Sequence, residues 1–211
     1  AWSRRALLPL AALGGLAACG AFVEDAGSSW GALYMRGEVG ADAATAGLAF
    51  VALSVAMTVG RLTGDRFVDR FGQRRVALVG GVGIAAGMGL ALAVPSVATT
   101  LGGFALAGLG VATLVPAVMH TADELPGLPH GVGLTVVSWL LRVGFLVSPT
   151  VVGLVADAAS LRVALLGVVL AGLVVLTLGS VLVDAPPAHG ASPDEGLPAT
   201  AGPAAAPPTP R

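Results

Sequence analysis

The chain has 211 residues, 55% of them hydrophobic and 11% charged, with a mean hydropathy of +0.89, where soluble domains carry about a quarter charged residues; water is therefore not its main solvent. Its 11 basic residues, all arginine, stand against 12 acidic ones, which excludes a global field that would draw it to nucleic acid or acidic substrates. The one cysteine, Cys19, excludes an intrachain disulfide framework and any multi-cysteine metal site.

A spanning helix needs about 20 apolar residues to cross a hydrocarbon core of about 30 Å, and six segments meet that need. The first runs from Ala6 to Val23. Its apolar character resumes around Trp30 to Met35 after Gly27, Ser28 and Ser29, so the helix extends toward Met35 as a long, tilted or locally broken element. It carries Glu24 and Asp25, with Ser28 four residues from one and three from the other. Ser3-Arg4-Arg5 and the later Leu16-Ala17-Ala18-Cys19 also imitate a bacterial lipoprotein signal with Cys19 as the lipidated residue, a reading opposed by five further spans.

The second span, Ala44 to Leu62, places Ser54, Thr58, Arg61 and Asp65 at steps of four, three and four, hence on one helix face. A short loop, Gly64 to Arg75, leads to the third span, Val76 to Val94. That span is apolar throughout and holds Gly83 and Gly87 as a pair of small residues through which helices approach closely. The fourth, Ala98 to Met119, has Thr113, Pro116 and His120 on one face, with Asp123 and Glu124 after it. The fifth, Val132 to Ala156, aligns Thr135, Ser138 and Arg142 and carries Trp139. The sixth, Val163 to Val183, has only Thr177 and Ser180 near one end. The first domain is thus a bundle over 1–183. From 184 to 211 the Pro, Ala, Gly, Ser and Thr composition predicts a disordered tail.

The expected fold class is all-α and polytopic. Spans one, two, four and five carry polar stripes and are expected to line a cavity, whereas three and six are expected to face lipid. Arg4, Arg5, Arg61, Arg66, Arg70, Arg74, Arg75 and Arg211 fall on one side of a six-span topology, against Arg36 and Arg162 on the other. The excess of arginine puts both termini in the cytoplasm of a cell-membrane protein. Gly47 to Leu78 also parallels Gly133 to Leu165, with Asp69 against Asp157 and Arg75-Val76-Ala77-Leu78 against Arg162-Val163-Ala164-Leu165. Units of three spans insert with opposite topology, which predicts two inverted three-helix repeats.

The loop from Gly64 to Arg75 resembles the cytoplasmic signature of the major facilitator superfamily. Gly64, Asp69, Arg70, Gly72, Arg74 and Arg75 match its pattern, and Gln73 replaces an expected basic residue. The resemblance covers about Ala6 to Val183. The segments FVEDAGSSWGALYMR, GFALAGLGVATLVPAV and GFLVSPTVVGLVAD look like that family's seventh, tenth and eleventh helices, and the first of these is similar to a branch of bacterial inner-membrane permeases related to sugar permeases. It implies half of a twelve-helix transporter, with the lipid bilayer, a missing N-terminal six-helix half and a small-molecule solute as partners, and Asp69 with its arginines as a gating latch between halves. A start at Ala-Trp-Ser without methionine is in keeping with that expectation.

Ionisable groups inside a span are costly and face protein or water, so Glu24, Asp25 and Arg142 are the first candidates for a substrate or proton pathway. Glu24 reads either as a cavity acid or as a solvated acid toward the outer side. In a cavity, Glu24 or Asp25 is suited to take up a coupling proton, H+, because a carboxyl group removed from water keeps its proton more readily. Arg142 lies mid-span and calls for a partner, either Glu24 or Asp25 or an acid in the missing half; substrate-anion contact and a structural ion pair are both open. His120 reads as a solvated loop histidine or a proton relay. Trp30 and Trp139 read as packing or interfacial anchors, or as platforms for a sugar ring. No nucleophile, base and orienting group converge at motif spacing and no metal-ligand cluster appears, so neither an enzyme nor a cofactor is expected. The rival to a transporter is a non-transport six-span scaffold or a permease subunit of another class.

Overall fold

The computed structural model of the chain describes residues 4–182, with side chains from residue 7 onward. Every regular element among the described residues is helical. In chain order they are α1 (Arg4–Asp25), a π-helical turn (Ala26–Trp30), α2 (Gly31–Gly37), α3 (Ala43–Phe71), α4 (Gln73–Ala93), α5 (Val97–Ala112), α6 (Leu114–Asp123), α7 (Val132–Ala158), α8 (Leu161–Leu178) and a 3-10 turn (Gly179–Val181). They build six helical rods long and apolar enough to cross a membrane: Leu7–Gly37, Ala43–Phe71, Gln73–Ala93, Val97–Asp123, Val132–Ala158 and Leu161–Val181. The all-α, six-span expectation is met. The tail expected from residue 184 lies outside the described residues.

Three helix starts at one end of the bundle are capped by side chains. Asp42 accepts from the amides of Ala44 and Thr45 at 2.9 and 3.1 Å, Ser96 accepts from Thr99 at 3.1 Å, and Ser160 accepts from Val163 at 3.2 Å. Such oxygens satisfy amides that a helix leaves unpaired at its first turn. The Thr45 hydroxyl, and then the amides of Thr45 and Ala44, hold the exposed Asp42 carboxyl below its ordinary range. That support for the α3 start is present above the unfolded carboxylate pKa and is lost as pH falls through the lowered one.

Two boundaries depart from the sequence reading. The expected loop from Gly64 to Arg75 is mostly helix: α3 continues to Phe71 and α4 begins at Gln73, leaving Gly72 alone between them at φ 86° and ψ 150°. That conformation suits glycine because a Cβ is strongly disfavoured there. The fourth span breaks into α5 and α6 at Thr113. Pro116 has no N–H to return to the Ala112 carbonyl, so the i→i−4 ladder fails where α5 stops. The first span is long and locally broken, as expected, with the π-helical turn at the break.

Packing follows a repeated scheme. α1 packs along α7 and α5 along α3; α4 packs on α5 and α8 on α1; α4 and α8 meet each other. Exchanging the first three spans with the last three maps each of these pairings onto another or onto itself, as two three-helix repeats require. Small residues permit the closest approaches: a Cβ on Gly80 would lie 2.6 Å from the Gly110 carbonyl oxygen, and one on Gly172 would lie 2.8 Å from that of Gly81. Without a hydrophobic drive between helices in lipid, such backbone contact supplies the packing. Gly87 joins it against Leu106 and Gly103, whereas Gly83 has no atom nearer than 3.7 Å to a built Cβ. The core is a column of buried side chains including Leu13, Leu16, Tyr34, Met35, Leu53, Ile84, Met88, Phe104 and Leu165.

Candidate transport face

Glu24 and Asp25 of α1, Arg61 of α3 and Arg142 of α7 are ionisable side chains within the spans. The π-helical turn follows Asp25 directly and carries Ser29, one turn along. The Ser29 hydroxyl donates to Asp25 Oδ1 at 2.7 Å, and the Ser148 hydroxyl of α7 donates to Oδ2 at 2.8 Å. Asp25 is buried, at 6% exposure, and Ser148 at 2%. A buried carboxylate with a donor on each oxygen is satisfied without a cation. It joins the first and fifth spans, the pair that packs along most of its length. Sequence reasoning missed Ser148: an uncharged serine before Pro149 in an apolar helix carries little signal of its own.

Glu24, the neighbour of Asp25 in sequence, points the other way. Its Oε2 lies 3.8 Å from Nη2 of Arg61 on α3, and both side chains are partly exposed. Arg61, one of the arginines on the expected cytoplasmic side, is thus the partner of Glu24. Arg61 lies ten residues before Phe71, about 15 Å along the helix from the Gly72 turn. Ser54, Thr58 and Asp65 continue its face, with Thr58 and Asp65 exposed.

Arg142 is exposed on α7 and lies over the Trp139 ring, 5.8 Å from its centroid. Among the described residues no carboxylate forms an ion pair with it, so of the partners left open for it neither Glu24 nor Asp25 is used in this bundle. The stacking is the arrangement expected of a guanidinium on an aromatic face. Trp139 is 63% exposed. Trp30 is instead half-buried, and a Cβ on Gly153 of α7 would lie 3.6 Å from its ring. Its indole Nε1 is buried with no acceptor.

Toward the Gly72 end, a cleft of about 250 Å³ lies between α3 and α6, with Arg61, Asp65, Gln73, Thr113, Pro116 and His120 in its wall. His120 belongs to the last turn of α6 and not to a loop, with Nδ1 3.5 Å from Glu124 Oε2. The signature residues cluster at the same end. Gly64 is buried where α3 meets Thr113 of the broken fourth span. Asp69, Arg70, Arg74 and Arg75 are exposed around Gly72, and the Arg70 guanidinium lies 5.6 Å from the Phe71 ring centroid. Among the described residues no group of three or more His, Cys, Asp and Glu side chains is placed to hold a metal ion.

A family model for the Major Facilitator Superfamily matches residues 10–209. The membrane protein MosC of Rhizobium meliloti is 37% identical over 157 residues, covering 74% of this chain and 38% of that protein. An uncharacterised MFS-type transporter of Yersinia pestis is 29% identical over 135 residues, 64% of this chain and 35% of the relative. An uncharacterised transporter of Sinorhizobium fredii is 28% identical over 153 residues, 72% of this chain and 41% of the relative. The aligned part of the chain thus spans about two fifths of the length of these curated relatives.

Proposed function

The chain belongs to the major facilitator superfamily, a family of membrane transporters, and on that premise we propose that it is part of a secondary transporter moving a small solute across the cell membrane by alternating access. This six-helix unit rocks against a second six-helix half. The excess length of the relatives leaves room for such a half, and the arginine-rich end of the bundle faces the cytoplasm with both termini. The observation that carries the reading is the Glu24–Arg61 pair, held inside two spans yet open to the surface of the bundle. Ionisable groups at membrane depth belong against protein or water, so this face is one wall of a solute pathway.

On the same reading Arg142, stacked on Trp139, presents a cation and an aromatic surface to the solute or to the other half. Trp30 closes the wall beside α7. Glu24 and Asp25 are the carboxylates available for proton coupling, with Asp25 the more enclosed. Gly64, Asp69, Arg70, Gly72, Arg74 and Arg75 form one side of the latch that holds the cytoplasmic end closed.

The test is solute uptake into proteoliposomes by the full-length protein, across sugars, organic anions and drugs, with and without an imposed proton gradient. Uptake of one class, enhanced by the gradient, supports coupled transport. Asp69→Asn is expected to insert normally and to slow uptake at least severalfold; wild-type uptake by that variant removes the latch, and no uptake of any class leaves the six-span scaffold as the better reading.

A further inference from the structure

About a third of a turn round α3 from the Arg61 stripe, an apolar groove of about 590 Å³ lies between α3 and α4. Its origin is in the glycines. A Cβ on Gly60 would meet Ala112 at 2.6 Å and one on Gly64 would meet Thr113 at 2.5 Å, while Gly80 rests on Gly110. Both α3 and α4 are thus drawn onto the fourth span and not onto each other, which leaves a trough with α5 as its floor. Phe67 and Phe71, stacked at 6.5 Å between centroids, form one wall, and Val76 and Val79 form the other. At Gly83 the missing side chain leaves the trough open.

Length and charge identify an occupant. The groove runs from Gly60 to Phe71, eleven rises or about 16 Å along α3. One leaflet of a hydrocarbon core about 30 Å thick is about 15 Å deep. A transmembrane helix would need a trough of twice that length, whereas the upper part of one phospholipid, with its phosphate at the Gly72 end and the start of one acyl chain toward Gly60 and Gly83, fits within it. The single charged residue in its wall is Arg75, exposed at the Gly72 end, with the Arg70 guanidinium close by over Phe71. Both cations stand at the Gly72 end of the groove, with Asp69 adjacent in sequence to Arg70. We propose that this groove binds an anionic phospholipid of the leaflet at the arginine-rich end, one acyl chain between α3 and α4 and the phosphate on Arg75. The groove opens on a different side of α3 from Arg61 but shares Gly64 and Arg75 with the proposed latch, and it does not depend on the identity of the solute.

The measurement is lipid titration of the full-length protein by native mass spectrometry, using phosphatidylglycerol and phosphatidylcholine with identical acyl chains. Tighter binding of one phosphatidylglycerol molecule is expected. Arg75→Gln should weaken that molecule about fivefold, the effect of one arginine near a membrane surface, and leave phosphatidylcholine unchanged. Gly83→Phe, which fills the trough, should remove the tight phosphatidylglycerol site; Val79→Trp, projecting from an exposed position into the same space, serves if Gly83→Phe fails to fold. Equal affinity for the two lipids, a tight site that survives the filled groove, or a second copy of the chain occupying the groove in place of lipid would each overturn the proposal.

Discussion

Two neighbouring acids illustrate how position decides chemistry. Asp25 faces inward to two hydroxyls and Glu24 faces the open side and Arg61, because a step of one residue turns a helix by about 100°. Their substitutions should separate accordingly. Asp25→Ala strands the buried Ser148 hydroxyl and is expected to cost about 1 to 3 kcal/mol of stability, read as a lower melting temperature in detergent. Replacing both Glu24 and Arg61 by glutamine removes a half-exposed pair and should change stability by less than about 1 kcal/mol, while uptake falls sharply. A large loss of melting temperature in the double variant would make the pair structural. The acids were legible in the sequence because charge stands out in an apolar helix. Their partners were not, since periodicity reports which residues share a face but not which helix that face meets.

At the level of elements, glycine placement carries more than the apolar pattern. Six spans follow from hydropathy alone, and the break in the first follows from Gly27, Ser28 and Ser29. The extension of α3 to Phe71 did not, because charged residues outside the hydrocarbon mark the end of a span and say nothing about the end of a helix. Pro116 held the other break in plain view, yet its consequence falls four residues upstream at Ala112. The Gly83 and Gly87 pair pointed to the correct helix but not to its tightest contact, Gly80 on Gly110. Gly110→Val should force α4 from α5 and destabilise the bundle by about 1 to 3 kcal/mol. Gly83→Ala should stay within about 0.5 kcal/mol of wild type. Equal effects of the two in a thermal-melt comparison would contradict the packing described.

For the whole molecule, polar and apolar side chains are distributed unevenly over the surface of the bundle. α4 and α8 expose Val79, Val82, Leu90, Leu166, Leu170 and Leu173, as expected of spans three and six against lipid. α3 and α7 expose apolar residues too, but between them run Thr58, Arg61, Asp65 and Arg142. Two striped spans and one apolar span recur twice along the chain, and the helix packing repeats with the same three-span period. What such a face meets is a matter of water access, and that is open to direct measurement. In full-length protein carrying Cys19→Ala, single cysteines at Ser54 and Thr58 are compared with cysteines at Val82 and Leu170, using a hydrophilic maleimide in native membranes. Rapid labelling is expected at positions 54 and 58 and little at 82 and 170. Labelling of 54 and 58 as slow as that of 82 and 170 would place the polar face away from water and contradict a solute pathway along it.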